Sequence, residues 1–523
     1  MSTLTGTGAL LRLALRRDRI LLPVWILVFA GTAASSASAT VGLYPTVESR
    51  IVAARAANAM PALVAFYGPI DDPTSLGALS MLKLTVMGAA LVALLMIIVT
   101  IRHTRAEEEA GRLELVQAGV VGRYAALTAA LLLAAGASVV LGLLTAGGLI
   151  AVGLPAGGSL AFGLSWAMVG ITFAAVAGVA AQLARSAKAA IGLSIAVLGV
   201  AYIMRAVADA STSHAVSWLS WCSPLGLGEQ VQAYAGDRWW VLAIMLFIAV
   251  DLVVLSFVLA SHRDLGTGML ADRAGPAHAG RTLAGPIGLA WNLQRTVFLA
   301  WLAGFVLLSA VLGNIASSAG SMMDSEQARE LFARLGGTTV LTDAFLATEM
   351  GFVGFMAAAY GVQASMRLRS EETALHAETL LATGLGRIRW ALSHILIAIA
   401  GMTGLLLVAG IVTAAANAAA TGSWGSAGSV VAGALVQLPA ACILAAVVVL
   451  LFGFIPRWTF GGWIVLVVVL LLAELGPLLQ LSQTIMDISP FAHVPKLPGG
   501  QFTLAPLVVL LVVAAVLTIA GLF

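Results

Sequence analysis

The sequence predicts an all-α polytopic membrane protein with twelve transmembrane helices in two tandem six-helix halves. Three observations carry this. Hydrophobic residues make up 60% of the 523 residues and charged residues only 10%, whereas a soluble chain carries about 25% charge. Apolar runs of roughly 20 residues recur along the chain, enough to cross a hydrocarbon core about 30 Å thick as helices. A charged stretch at Arg105–Arg123 returns in the same register at Arg369–Arg387, 264 residues on. The alternating pattern of a membrane β-barrel is absent.

The spans fall near 20–42, 79–101, 124–152, 159–184, 189–209, 239–261, 296–318, 346–366, 389–416, 427–455, 460–482 and 503–522. Several exceed 20 residues and imply tilt or extension beyond the bilayer. In the first, basic residues precede ILLPVWILVFA and then ASSASA, which also has the shape of a secretory signal and its cleavage site. A retained span at the equivalent place in the second half favours a permanent helix. Lys and Arg set the orientation. With the N-terminus inside, nineteen of the 27 basic residues fall on inner segments and six on outer ones, and Lys83 and Arg205 lie within spans. Both termini are then cytoplasmic.

The halves are 1–261 and 285–523, joined by a cytoplasmic linker at 262–284 whose HRDLGTGMLADRAGPAHAGR is rich in Gly, Pro and charge. Ser223–Pro224 and Ser489–Pro490 also recur, each after the fifth span of its half, and Trp25 and Trp301 fall in the two first spans. An even number of spans keeps both halves the same way up, as in repeats related by an axis along the membrane normal, with a pathway between them.

The first charged stretch, RAEEEAGRLELVQAGVVGR, holds seven charges in nineteen residues. At the bilayer centre these would cost about 2.5–3.5 kcal/mol each, so the stretch lies in water or against protein. The two copies share R-x-E-E-x5-E-x7-G-R, with Arg105, Glu107, Glu108, Glu114 and Arg123 matching Arg369, Glu371, Glu372, Glu378 and Arg387. Glu107 and Glu114, like Glu371 and Glu378, are seven residues apart and would share a helix face. Arg105–Glu109, Glu108–Arg112 and Arg367–Glu371 have the spacing of supporting pairs. The spacing predicts a short amphipathic surface helix in each half. A solvated loop with ordinary topogenic charge is the plainer reading of one copy. Matched carboxylates in two copies favour a docking element, because topology needs only positive charge.

EEEAGRLELVQAGVVGR resembles the coupling-helix motif of type-2 ATP-binding-cassette (ABC) permeases, E-x-G-T-L-E followed by an apolar run and Arg. Glu109, Gly111, Leu113, Glu114 and Arg123 match, while Arg112 replaces the Thr and Leu375 replaces the Gly of the second copy. SPLGLGEQV at 223–231 and the fused twelve-span layout are similar to actinobacterial permeases for export of polyketide antibiotics, the tetronasin type. The resemblance implies the membrane subunit of an exporter of hydrophobic or amphipathic compounds in a bacterial cytoplasmic membrane. Two copies of a cytoplasmic ATPase would bind ATP and Mg and pull on the two coupling helices. The ten matched residues above are the implied contacts. It also makes ALLRLALRRDR at 9–19 and GPIGLAWNLQR at 285–295 interfacial elbow helices. No G-x-x-x-x-G-K-[ST] occurs in the chain, so no phosphate cradle of that kind is its own.

Charges within spans are functional-site candidates by default: Asp251 near the middle of the sixth, and Lys83, Glu349 and Glu474 nearer the outer ends. Arg205 and Asp209 have the spacing to neutralise each other. Lys83 and Glu349 lie on the second spans of the two halves, a pair across the seam being one reading. Asp251 reads as a substrate or proton group, or as a hydrogen-bonded structural residue. The seven His are scattered without H-E-x-x-H, so no metal site is expected. Cys222 and Cys442 have no metal spacing. A net charge of +3 gives no reason to expect nucleic acid binding. The competing functions are a proton-coupled twelve-helix drug transporter, which needs a titratable relay, and a lipid or glycolipid exporter. A lipid-modifying enzyme would need a catalytic cluster that the loops do not offer.

Overall fold

A computed structural model describes residues 3–523 except 60, 118, 120, 211–215, 265, 271–277, 279, 281–282, 284, 322–337 and 476–481. The regular structure of the described residues is helical. The chain divides into two compact units, Met1–Ala274 and Gly275–Phe523.

Unit 1 begins with α1 (Thr7–Arg17), α2 (Leu21–Leu43), α3 (Val47–Asn58), α4 (Pro61–Tyr67) and α5 (Leu76–Arg102). Two short helices follow, α6 (Arg105–Glu109) and α7 (Arg112–Gln117), then α8 (Ala125–Ala151), α9 (Ala156–Leu183) and α10 (Ala187–Ala210). The unit closes with α11 (Trp218–Trp221), α12 (Pro224–Gln230) and α13 (Trp239–Ser261). Helix α9 is the centre, packed against α5, α8 and α13. Small residues allow this. Gly142 of α8 and Gly163 of α9 lie so close that a Cβ on either would overlap the carbonyl of the other, the small-residue contact by which helices pack in lipid. Trp166, fully buried, fills the space over Gly88, with Phe29 edge-on at 6.1 Å and Phe162 at 4.9 Å. The remaining faces, such as Leu246, Phe247, Val250 and Val254 on α13, are exposed and apolar, as suits contact with acyl chains.

Unit 2 contains α14 (Pro286–Ser321), α15 (Thr338–Ser365), α16 (Arg367–Thr373), α17 (His376–Leu381) and α18 (Arg387–Thr421). It continues with α19 (Ala427–Leu435), α20 (Leu438–Phe454), α21 (Gly461–Leu475), α22 (Gln483–Met486) and α23 (Leu504–Leu522). Helices α20 and α23 meet at Gly453 and Gly521, again with no room for a Cβ. Its core is built on Tyr360, Met402, Leu405 and Val448.

Eleven described helices are long and apolar enough to cross a membrane, making this a multi-pass membrane protein. The span expected at 460–482 forms α21, 15 residues long, and 476–481 lie outside the described residues. The span expected at 427–455 breaks between α19 and α20, with Pro439 in the first turn of α20, where a missing N–H costs nothing. The first elbow segment is the separate helix α1, whereas the second runs without a break into its span as α14. Between α2 and α5, and between α10 and α13, the described residues form only short helices.

Candidate functional site

The repeated charged stretch is not one helix in either unit. In unit 1 it breaks at Ala110–Gly111, where Gly111 has φ 70. In unit 2 it breaks at Ala374–Leu375, where Leu375 has φ 61 and precedes α17. Glu107 and Glu114 therefore stand on different helices, as do Glu371 and Glu378, and the shared face expected from their spacing does not form. The two breaks are themselves equivalent. Gly111 and Leu375 are 264 residues apart, and each takes the left-handed conformation that glycine adopts without cost and leucine does not.

In unit 1 the first helix of the turn is tied inward. Glu108 is 7% exposed. Arg263 grips it with both terminal nitrogens at 2.9 Å, Gly266 donates its N–H at 2.7 Å, and Arg105 lies at 3.0 Å. Arg105, also buried, donates its Nε to the Arg185 carbonyl at 2.8 Å. Glu107 is held by Arg17 of α1 and by Arg112 at 2.7 Å. Glu109 accepts the N–H of Ala187 at 2.8 Å, at the first turn of α10, a favourable place for a carboxylate. Arg123 donates to the carbonyls of Ala260, Ser261 and Arg263 at 3.0–3.1 Å, closing the C-terminal end of α13. Asp18, fully buried, meets His103 at 2.6 Å and Arg102 at 3.0 Å.

These contacts draw the N-terminal segment, the charged turn, the end of α9 and the start of the linker to one end of the bundle. Gly122 donates to Thr5 and Tyr124 to Thr3, while Leu270 donates to Leu183. Only glycine fits at 122, because a Cβ there would overlap the Thr3 carbonyl. Glu114 stands apart from this network. It is exposed and borders an open groove of about 800 Å3 with Glu109, Gly111, Arg185, Ser186 and Leu270.

Unit 2 repeats the plan with a change of residue. Its buried carboxylate is Glu371, 3% exposed, paired with Arg367 as its spacing predicts and with His376 at 3.3 Å. Glu372 is exposed and pairs with Arg369 at 2.5 Å. The inward carboxylate is thus the second of its pair in unit 1 and the first in unit 2. Glu378, like Glu114, is exposed, and so is Arg387 at the start of α18. Of the ten residues singled out in the sequence, Arg105, Glu108 and Glu371 are interior, and two equivalent pairs are exposed in both units, Glu114 with Glu378 and Arg123 with Arg387. The spacing of the expected pairs Arg105–Glu109 and Glu108–Arg112 gave way to Arg105–Glu108 and Glu107–Arg112 because the helix ends at residue 109.

The intramembrane charges differ from one another. Lys83 and Asp251 are exposed on their helices, and no ion pair among the described residues includes either. Glu349 is 5% exposed with neither carboxylate oxygen hydrogen-bonded among the described residues. The side chain of Glu474 lies outside the described residues. Arg205 and Asp209 pair at 3.1 Å as expected, and Glu229 joins them at 3.5 Å. This cluster holds α4 and the turn after it: Arg205 also donates to the Ala65 carbonyl, and a Cβ on Gly68 would come within 2.9 Å of Glu229 Oε1. Burial, and then the neighbouring Asp209, push the Glu229 carboxyl well above the usual carboxylate range. Cys222 is exposed and Cys442 buried, both as free thiols.

Sequence reading missed Arg263, Asp18, His103 and Glu229 as members of these networks. Arg263 lies 155 residues from Glu108, and no local period can register a partner at that separation. For Glu229, the recurring Ser-Pro that opens α12 marked the element but not its buried acid.

Residues 283–523 match the family model described as "Multidrug efflux system permease Rv1217c, C-terminal domain". Over 523 residues the chain is 44% identical to the multidrug efflux system permease protein Rv1217c of Mycobacterium tuberculosis, covering 99% of this chain and 94% of that protein. A likeness of this extent, on a multi-pass helical chain with a charged turn in each unit, places the protein in the Rv1217c family of efflux permeases.

Proposed function

We propose that this chain is the membrane subunit of an ATP-driven exporter of hydrophobic or amphipathic compounds, including drugs or antibiotics. It has twelve crossings in two six-helix halves, both termini are cytoplasmic, and it works by alternating access. ATP and Mg are held by a separate cytoplasmic ABC ATPase, two copies of which seat on the two charged turns. Glu114 and Glu378, with Glu372 and the rim charges Arg369 and Arg387, meet the partner. Arg105, Glu107, Glu108, Arg123 and Glu371 hold each turn against its helices, so that a pull on the turn moves them.

The observation that carries this reading is the recurrence, 264 residues apart, of a helix–break–helix turn with a left-handed residue before an exposed glutamate. Ordinary topogenic loops have no need of it. The likeness to a multidrug efflux permease supports export as the direction and drugs as cargo. The similarity to tetronasin-type permeases supports the fused two-half form.

A proton-coupled transporter is the second reading, and Glu349 is the observation that favours it, as a buried intramembrane carboxyl without a described partner. One experiment separates the two. The chain is co-expressed with a candidate ABC ATPase subunit and reconstituted. Vanadate-sensitive ATP hydrolysis and ATP-dependent dye uptake into inside-out vesicles are expected. Uptake driven by a proton gradient without the ATPase, and lost in Glu349→Gln, would overturn the ATP-driven reading. A lipid or glycolipid exporter would hydrolyse ATP in the same assay but move labelled lipid in place of dye.

A further inference from the structure

Four of the twelve tryptophans lie between residues 218 and 240, away from the charged turn. Trp218 and Trp221 stand on α11, and Trp239 and Trp240 open α13. All four are between 37% and 58% exposed. Trp221 and Trp240 stack with centroids 5.5 Å apart and planes 13° from parallel, which joins α11 to the first turn of α13. No hydrogen bond among the described residues uses any of the four indole N–H groups. Trp301, by contrast, donates its indole N–H to Gln363 at 2.7 Å.

The position of α13 decides what meets these rings. The helix has 23 residues and is about 35 Å long. Leu246, Phe247, Val250, Val254 and Val258 are exposed along it and belong in a hydrocarbon core about 30 Å thick. The first turn, with Trp239 and Trp240, then comes to the edge of that core. An indole is an apolar ring with one donor and no acceptor. At such an edge the ring meets acyl carbon while the N–H meets ester and phosphate oxygens, which is why Trp is enriched at membrane–water boundaries. The backbone that carries Trp218 and Trp221 is fixed from within the fold. Ser223, fully buried, donates its Oγ to the Ala201 carbonyl of α10 at 2.7 Å and accepts the N–H of Gly226 in α12 at 3.2 Å. A Cβ on Gly226 would overlap the Ser220 carbonyl.

We propose that Trp218, Trp221, Trp239 and Trp240 form a platform that binds the phospholipid headgroup layer, their N–H groups donating to ester and phosphate oxygens. That this layer belongs to the outer leaflet rests on the cytoplasmic placement of the termini given above. Headgroup binding itself does not.

The test places a nitroxide label on Cys222, exposed beside Trp221, in the full-length chain carrying Cys442→Ala and reconstituted in phospholipid bilayers. Collisions with oxygen, which collects in hydrocarbon, and with a nickel chelate, which stays in water, report depth. The nickel-to-oxygen ratio at Cys222 should fall between that of a label at Val254→Cys and that of free label in buffer. Changing all four Trp to Ala should raise the ratio at least threefold. Changing all four to Tyr, which keeps a ring and a donor, should hold it within twofold. Should the four-fold Ala variant fail to fold, Trp218→Ala with Trp239→Ala spares the stacked pair and should still raise the ratio. A label as open to nickel as free label, a label shielded from both reagents by a protein partner, or a ratio unmoved in folded Ala variants would overturn the proposal. A membrane-impermeant maleimide should modify Cys222 in intact cells. Modification only in opened membranes would overturn the placement of the termini and leave headgroup binding standing.

Discussion

Glu108 sits where two buried or half-buried guanidinium groups and a backbone N–H converge. Removing one partner of a buried ion pair leaves charge without compensation, at a cost of about 3–5 kcal/mol. Glu108→Ala should therefore lower thermal stability sharply in detergent, whereas Glu114→Ala, at an exposed carboxylate outside the network, should leave the melting temperature unchanged. The acid of the Arg205 cluster responds to pH in the opposite sense from a salt-bridged carboxylate. Its folded form keeps a proton that the unfolded chain gives up near the ordinary value of 4.5. Over that window the native state binds more protons, so stability falls as pH rises. A melting curve measured from pH 5 to 8 should slope downward, and Glu229→Gln should flatten it. An unchanged slope would mean that Glu229 is ionised in the fold.

At the scale of the element, the two turns make the same bend with different residues. Glycine at 111 takes the left-handed conformation freely, while leucine at 375 is strained by about 1–2 kcal/mol. Leu375→Gly should stabilise unit 2 by roughly 1 kcal/mol, and Gly111→Ala should destabilise unit 1 by a similar amount, both readable in chemical or thermal melts. The existence of these turns was legible in the sequence because charge is scarce in so apolar a chain and because the pattern repeats without a gap. Their internal shape was not. Spacing alone reads Glu107 and Glu114 as one helical face, and only the conformation at residue 111 separates them. The same limit explains the elbow segments. Both carry an interfacial pattern, but Asp18–Ile20 interrupt the first, and no break falls between Gly285 and the span that follows the second.

At the scale of the whole molecule, hydropathy located most of the long helices within a few residues, because a membrane-crossing segment must satisfy its backbone internally and be apolar for its full length. Helices α14 and α15, however, begin ten and eight residues ahead of the spans read at 296 and 346. It fared worse where the helix is short. α21 stops at 15 described residues, whereas the stretch read as one span at 427–455 crosses as Ala427–Phe454 despite the turn ahead of Pro439. The long-range ties were the least legible part. Arg263 to Glu108, Arg123 to the end of α13, and Gly122 to Thr5 all join segments far apart in the chain. Sequence periodicity carries no information about such partners. These ties bind the charged turn of unit 1 to the ends of α1, α9 and α13, which makes the turn suited to transmit a displacement into the spans.

The most direct test is ATP-driven dye uptake into inside-out vesicles holding this chain and its ATPase, compared between wild type and the double variant Glu114→Arg/Glu378→Arg. The ATP-driven account predicts loss of at least nine-tenths of the uptake, with unchanged melting temperature. Full ATP-driven uptake in a double variant that is present and folded would contradict it.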